Sequence, residues 1–129
     1  MSAINSQIDG SHYTEMHLQP LELTYMIGAT PAFCKLAKYG SRNKGDKLIN
    51  LNKALHCIKY EQEMQSRYAN IMAEAYPFGF DLSKSELASK LIEIFTPNPE
   101  LRSALKAMYN GEYERAIRYI EVMIESETE

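Results

Sequence analysis

The sequence has no tryptophan, only two cysteines, and no apolar run near the roughly 20 residues that a membrane-spanning helix needs. Its first residues, MSAINSQIDGSHY, lack the basic and apolar regions of a signal peptide. Cys34 and Cys57 do not have the spacing of a metal site, and we interpret them as reduced, buried, small apolar residues. These scarcities exclude a disulfide scaffold and predict a cytoplasmic protein that does not contact membranes.

Neither sign of charge is in large excess. Fourteen Lys and Arg residues stand against seventeen Asp and Glu residues, a net charge of −3, so bulk binding of nucleic acid is not expected. The charges are unevenly placed, because segment 35–59 carries seven bases and one acid, whereas segment 111–129 carries six acids and two bases. A local basic patch in an acidic protein suits a compact anion, such as a nucleotide phosphate.

Apolar residues recur at helical spacing along most of the 129 residues, and no segment alternates as a strand does. The first half of the chain is therefore predicted to be helical, with short helices over 20–28 and 31–42, each opened by a proline. Asp46 is the predicted N-cap of a long central helix over residues 47–74.

The second half of the chain carries further helix signals. Ser83-x-x-Glu86 is a capping-box pattern that predicts a helix over 84–95. Helices over 98–109 and 112–126, joined at Asn110-Gly111, are predicted to form a C-terminal αα-hairpin. The expected fold is thus all-α, a compact helical domain with a long central helix and this hairpin.

The long helix is expected to bury one apolar stripe and then to reach a partner. Leu48, Leu51, Leu55 and Ile58 form the stripe, and Tyr68, Ile71 and Ala75 resume it after a polar middle at 61–65. A long helix with a polar stretch often packs against another subunit. We therefore expect a homo-oligomer, with the long helix and the acidic terminal hairpin as its contacts.

A series of short elements between His12 and Ile58 carries the most specific information. In order, they are His12-Tyr13, Gln19-Pro20-Leu21-Glu22, Phe33-Cys34, Leu36-Ala37-Lys38-Tyr39, Ser41-Arg42, Lys44-Gly45, Leu51, Lys53-Ala54-Leu55 and His56. In order and spacing they resemble the SaV-like family of small phage proteins. A phage kinase of deoxynucleoside monophosphates contains a similar region. The resemblance implies a phage protein in the host cytoplasm, with a SaV-like helical core at 1–78 and a helical extension at 79–129 in the same compact unit.

The sharpest candidate site is basic. Lys38 and Arg42 are four residues apart and are expected on one helical face, with Tyr39 beside them. A guanidinium holds phosphate oxygens in pairs and an ammonium adds a point charge. Lys44 in the following turn and Lys53 on the next helix are expected to converge there. The alternative is a solvated basic face.

Two further groups are candidates near this site. His12 can titrate near neutrality and is the candidate for proton transfer, while Tyr13 is the candidate for base stacking. The alternative is a terminal segment that docks its aromatic residue into the core. Gln19 is a candidate for reading a base edge, and Glu22 for ligand contact or for a salt bridge with Arg42.

The predicted function is binding of a nucleotide or nucleotide-like phosphate at the basic helical site. No G-x-x-x-x-G-K-[ST] loop is present, so side chains on helices would hold the phosphate. An enzyme version would be a deoxynucleoside monophosphate kinase, in which Arg42 and His12 are catalytic. Magnesium is expected only with the nucleotide, and no resident metal site is predicted. The alternative is a non-catalytic phage protein that sequesters a host nucleotide signal or inhibits a host protein.

Overall fold

The helices of this protein are seen in a computed structural model that describes residues 18–75 and 84–128. These residues form seven helices and no strand: α1 (Pro20–Ile27), α2 (Pro31–Ser41), α3 (Lys47–Arg67), α4 (Ala69–Ala75), α5 (Ser85–Phe95), α6 (Pro99–Tyr109) and α7 (Tyr113–Thr128). The predicted all-α class, the long central helix and the C-terminal hairpin are confirmed. None of these helices is long and apolar enough to cross a membrane.

Local chemistry sets most helix ends. Asp46 Oδ1 accepts a hydrogen bond from the Ile49 backbone N–H at 3.1 Å, which confirms the predicted N-cap of α3. Asn98 Oδ1 accepts likewise from Leu101 N–H at 2.9 Å at the start of α6. Gly28 ends α1 in the left-handed conformation, with φ of 64°, where a Cβ would be strained. Ser83 lies outside the described residues, and the N-cap residue of α5 is Lys84.

The predicted helix over 47–74 is in fact two helices. The backbone of Tyr68, with φ of −109° and ψ of 18°, leaves helical values and ends α3. Hydrogen bonds still cross the break, because Tyr68 N–H donates to Met64 and Met72 N–H donates to Tyr68, both at 2.9 Å. The residues predicted to resume the apolar spacing do not extend the buried stripe of this chain, since Tyr68 is 44% exposed and Ile71 is 63% exposed.

The core forms around α3, which packs against α2 on one side and α7 on the other. Helix α6 packs against α2, α5 and α7, so residues on both sides of the 76–83 segment share one core. The largest fully buried side chains are Leu23, Ile27, Phe33, Leu36, Leu51, Ile58, Ile92, Leu101, Leu105 and Ile120. The two cysteines are free and only half-buried, and burial raises the pKa of the Cys57 thiol.

Helices α2 and α6 approach each other most closely at a glycine. Gly40 is buried, and a Cβ added to it would lie 2.6 Å from Leu101 Cδ1. Leu101 is itself 1% exposed, so its side chain has little room to move aside.

We therefore predict that Gly40→Val lowers the free energy of unfolding by about 2 kcal/mol or more, through overpacking against Leu101. Lys35→Val, at an exposed position of the same helix, introduces the same residue without overpacking and is the control. Helix propensity alone would favour Gly40→Val over Lys35→Val, so a greater loss of stability at position 40 reports the overpacking. Chemical denaturation of both variants measures the difference. Equal stability of the two variants would contradict the close approach.

Candidate functional site

A groove with basic edges runs between α2 and α3. It is open to solvent, has a volume of about 600 Å³, and is lined by Lys35, Tyr39, Leu48, Ile49, Asn52, Lys53, His56 and Cys57. We call it the basic groove. Its floor is apolar, its edges carry two lysines, and no Asp or Glu is among the residues that line it. A groove of this kind suits a ligand that combines a planar apolar part with an anionic group.

Two of the predicted site residues, Tyr39 and Lys53, line this groove, and a third, Lys38, lies against the Tyr39 ring. The Lys38 and Lys53 ammonium groups lie 5.5 and 5.4 Å from the centroid of the Tyr39 ring. These contacts are cation–π interactions, which hold both lysine chains near the ring. Two like charges around one ring leave a local positive potential that an anion would neutralise.

The other predicted residues lie elsewhere or play local roles. Arg42 is the half-buried C-cap residue of α2 and is not among the residues that line the groove. The Lys44 carbonyl accepts a hydrogen bond from Asn50 Nδ2 at 3.1 Å, which ties the turn to α3. Gln19 N–H donates to Glu22 Oε1 at 3.0 Å, so Glu22 closes a capping box on α1.

His12 and Tyr13 lie outside the described residues, and their predicted roles stay predictions. Within residues 18–75 and 84–128, no three His, Cys, Asp or Glu side chains are grouped so that they could hold a metal ion. Glu22 thus has a structural role in the capping box of α1. Its predicted contact with a ligand stays a prediction.

A second site, which the sequence did not predict, surrounds a buried carboxylate. Glu61 on α3 is only 6% exposed, and its Oε2 accepts a hydrogen bond from Tyr113 Oη at 2.9 Å. Both side chains line a cavity of about 250 Å³ together with Gly28, Ala29, Thr30, Phe33, Gln65, Met108, Tyr109, Asn110 and Gly111. We call it the carboxylate cavity.

The sequence does contain a signal for this cavity. Glu61 and Gln65 continue the spacing of the buried residues Ala54 and Ile58, three or four residues further along the same face of α3. The polar middle of the helix therefore includes side chains on the buried face. The charge of Glu61 by itself favours a solvent-exposed position, whereas its place in the helical register indicates a buried one.

Tyr113 is held in its neutral form by its surroundings. Burial raises the pKa of the Tyr113 hydroxyl to about 12, against the effect of a hydrogen bond with Gln65, and the negative charge of Glu61 adds to the rise. A phenol with such a pKa remains a hydrogen-bond donor throughout the physiological range. It therefore supplies a constant donor to the Glu61 carboxylate.

No protein-family model matches the chain, and no curated protein or solved structure matches it either. The resemblance to the SaV-like phage proteins thus stays a prediction from the sequence.

We predict a distinct pH dependence for the bond between Tyr113 and Glu61. The folded-state pKa of about 12 lies above the ordinary value of 10.0, so the contribution to stability is complete below pH 10 and is lost as the pH rises towards 12. Tyr113→Phe should lower the free energy of unfolding at neutral pH by about 1–2 kcal/mol and remove this alkaline component.

Ultraviolet titration of tyrosinate and denaturation between neutral and alkaline pH measure both effects. Tyr25→Phe is the control, because Tyr25 is 85% exposed. If Tyr25→Phe and Tyr113→Phe gave the same alkaline titration and the same stability, the buried bond would be refuted.

Proposed function

We propose that this protein binds a nucleotide or nucleotide-like phosphate in the basic groove. The observation that carries the proposal is the placement of Lys38 and Lys53 around the Tyr39 ring, with each Nζ within 5.5 Å of its centroid. Lys35 and Lys53 line the groove itself, and Lys38 adds a third ammonium group beside it, against the Tyr39 ring. An incoming phosphate would relieve the mutual repulsion of these charges and gain charge-assisted hydrogen bonds from them.

The rest of the groove suits a nucleobase. Leu48 and Ile49 supply apolar surface, and the exposed His56 ring, in edge contact with Tyr60 at 5.9 Å, can stack on a base. Asn52 Nδ2 donates to the Leu48 carbonyl at 2.9 Å, which fixes the amide so that its Oδ1 can accept from a base N–H. Phosphate and base would therefore contact different parts of one groove.

Two functions share this binding step. In the enzyme version the protein is a phage kinase that transfers phosphate from a nucleoside triphosphate to a deoxynucleoside monophosphate. This version requires the catalytic roles predicted for Arg42, which does not line the groove, and for His12, which lies outside the described residues. In the non-catalytic version the protein sequesters a host nucleotide signal. The resemblance to SaV-like phage proteins supports both versions, and only product formation in the presence of magnesium separates them.

We predict that Lys53→Ala weakens nucleotide binding by about tenfold or more, since it removes a charge-assisted contact at the groove. Lys59→Ala is the matched control, because Lys59 is an exposed lysine on the same helix that does not line the groove. Calorimetry with deoxynucleoside mono-, di- and triphosphates and a cyclic dinucleotide, with and without magnesium, measures the affinities.

A ligand at about 100 times its dissociation constant should add roughly 2.7 kcal/mol to the stability of the folded protein, which gives an independent thermal readout. Binding should also weaken as salt is raised. Equal affinities of Lys53→Ala and the unaltered protein would remove the groove from the proposal. Arg42→Ala then tests the enzyme version, which requires a loss of turnover beyond any loss of binding.

We also propose that the protein self-associates through the outer face of α3 and α4. Tyr60, Met64, Tyr68 and Ile71 follow one another at intervals of four, four and three residues, and they are 57%, 38%, 44% and 63% exposed. A row of apolar side chains at this spacing typically marks a contact with another helix.

The charges beside this row favour a second copy of the chain as the partner. Glu63 and Arg67 are paired at 2.9 Å on this helix and are both largely exposed. An antiparallel crossing of two copies near residue 65 would bring each Glu63 opposite the Arg67 of the other copy. The face is thus complementary to itself in charge as well as in apolar character.

We predict that Ile71→Asp shifts the protein towards a smaller assembly, because it places a charge in the apolar row. Ile94→Asp is the control, since Ile94 on α5 is similarly exposed, at 54%, and lies outside the row. Light scattering coupled to size-exclusion chromatography gives the mass of each variant. An unchanged mass for Ile71→Asp, or an equal change for both variants, would rule out this contact.

A further inference from the structure

The carboxylate cavity contains a carboxylate that forms no ion pair with the residues that the structure describes. Glu61 is 94% buried, and none of the ion pairs formed within residues 18–75 and 84–128 includes it. Its Oε1 receives no hydrogen bond from these residues, while Oε2 receives one, from Tyr113. Oε1 is therefore accessible from the cavity, where water or a ligand can donate to it.

Helix ends of both signs surround the cavity. Helix α1 ends at Gly28 and helix α6 ends at Asn110, and both residues line the cavity. Helix C-termini carry partial negative charge and favour cations. Two helix N-termini are also present, of α2 at Thr30 and of α7 at Tyr113. Their partial positive charge offsets that of the two C-termini, so the net charge of the cavity is that of Glu61.

The walls of the cavity are suited to a cation with an apolar body. Phe33, Tyr109 and Tyr113 contribute aromatic rings, and Met108 contributes a thioether. Aromatic faces attract ammonium and guanidinium groups, and this attraction is strongest where water is excluded. The volume of about 250 Å³ is below the usual range for a drug-sized ligand, so it suits a molecule with one ring or a short chain.

We propose that the carboxylate cavity binds a small organic cation, with an ammonium, amidinium or guanidinium group on Glu61 Oε1 and an apolar body against the aromatic walls. The donors of an amidinium or guanidinium group match the two oxygens of a carboxylate. Tyr113 would hold the carboxylate in place from the opposite side through Oε2. This site has no residue in common with the basic groove, and it selects ligands of the opposite charge.

The test uses benzamidinium and benzamide, which have nearly the same shape and differ in charge. Titration of the full-length protein, followed by calorimetry and by the NMR signals of Tyr109 and Tyr113, should show benzamidinium binding about tenfold or more tightly than benzamide. Glu61→Gln keeps the shape and an acceptor for Tyr113, and it should abolish that preference.

Glu114→Gln is the matched control, because it removes the same charge from an exposed acid near the start of α7, outside the cavity. It should leave the preference unchanged, as should Lys53→Ala in the basic groove. If Glu61→Gln does not fold, the comparison of benzamidinium with benzamide on the unaltered protein still decides the matter.

Four results would overturn the proposal. The first is equal binding of the two probes, and the second is no binding of benzamidinium at about 10 mM, which is weaker than specific recognition requires. The third is a perturbation of NMR signals away from Tyr109 and Tyr113. Persistence of the preference in a folded Glu61→Gln variant would overturn it equally.

Discussion

The arrangement of this molecule depends on burial of one face of α3 between α2 and α7. Leu51, Ala54 and Ile58 on this face are fully buried, and each large apolar side chain removed from water contributes about 1.5–3 kcal/mol. The same helix then supplies both candidate sites. Lys53 and His56, on one side of α3, line the basic groove. Glu61 and Gln65, on its buried side, line the carboxylate cavity. The orientation of α3 about its own axis therefore determines which side chains line each site.

Local chemistry made much of the fold predictable. Pro31, Asp46 and Asn98 act at helix starts through constraints that involve only a few neighbouring residues, and Gly28 acts in the same way at a helix end. Such signals are readable without knowledge of the tertiary structure. The meeting of Lys38, Tyr39 and Lys53 was also predictable, since two consecutive antiparallel helices bring their facing residues together.

What the sequence did not reveal depends on distant partners. Glu61 is buried because Tyr113, fifty-two residues later, covers it and donates a hydrogen bond to it. The break at Tyr68 likewise has no proline or glycine beside it. Arg42 would share a helical face with Lys38 if α2 continued. Helix α2 ends at Ser41, however, and Arg42 does not line the groove. In each case the outcome depends on tertiary packing or on helix termination, and periodicity alone does not specify either.

The contact between Gly40 and Leu101 also has an evolutionary consequence. The Leu101 side chain occupies the space into which a Cβ at position 40 would extend. A larger residue at position 40 therefore requires a smaller one at position 101. A homologue with alanine or serine at position 40 should carry a smaller residue at position 101, and one that keeps leucine there should keep glycine. Paired substitution at these two positions would thus identify true relatives of this chain even where little other sequence identity survives.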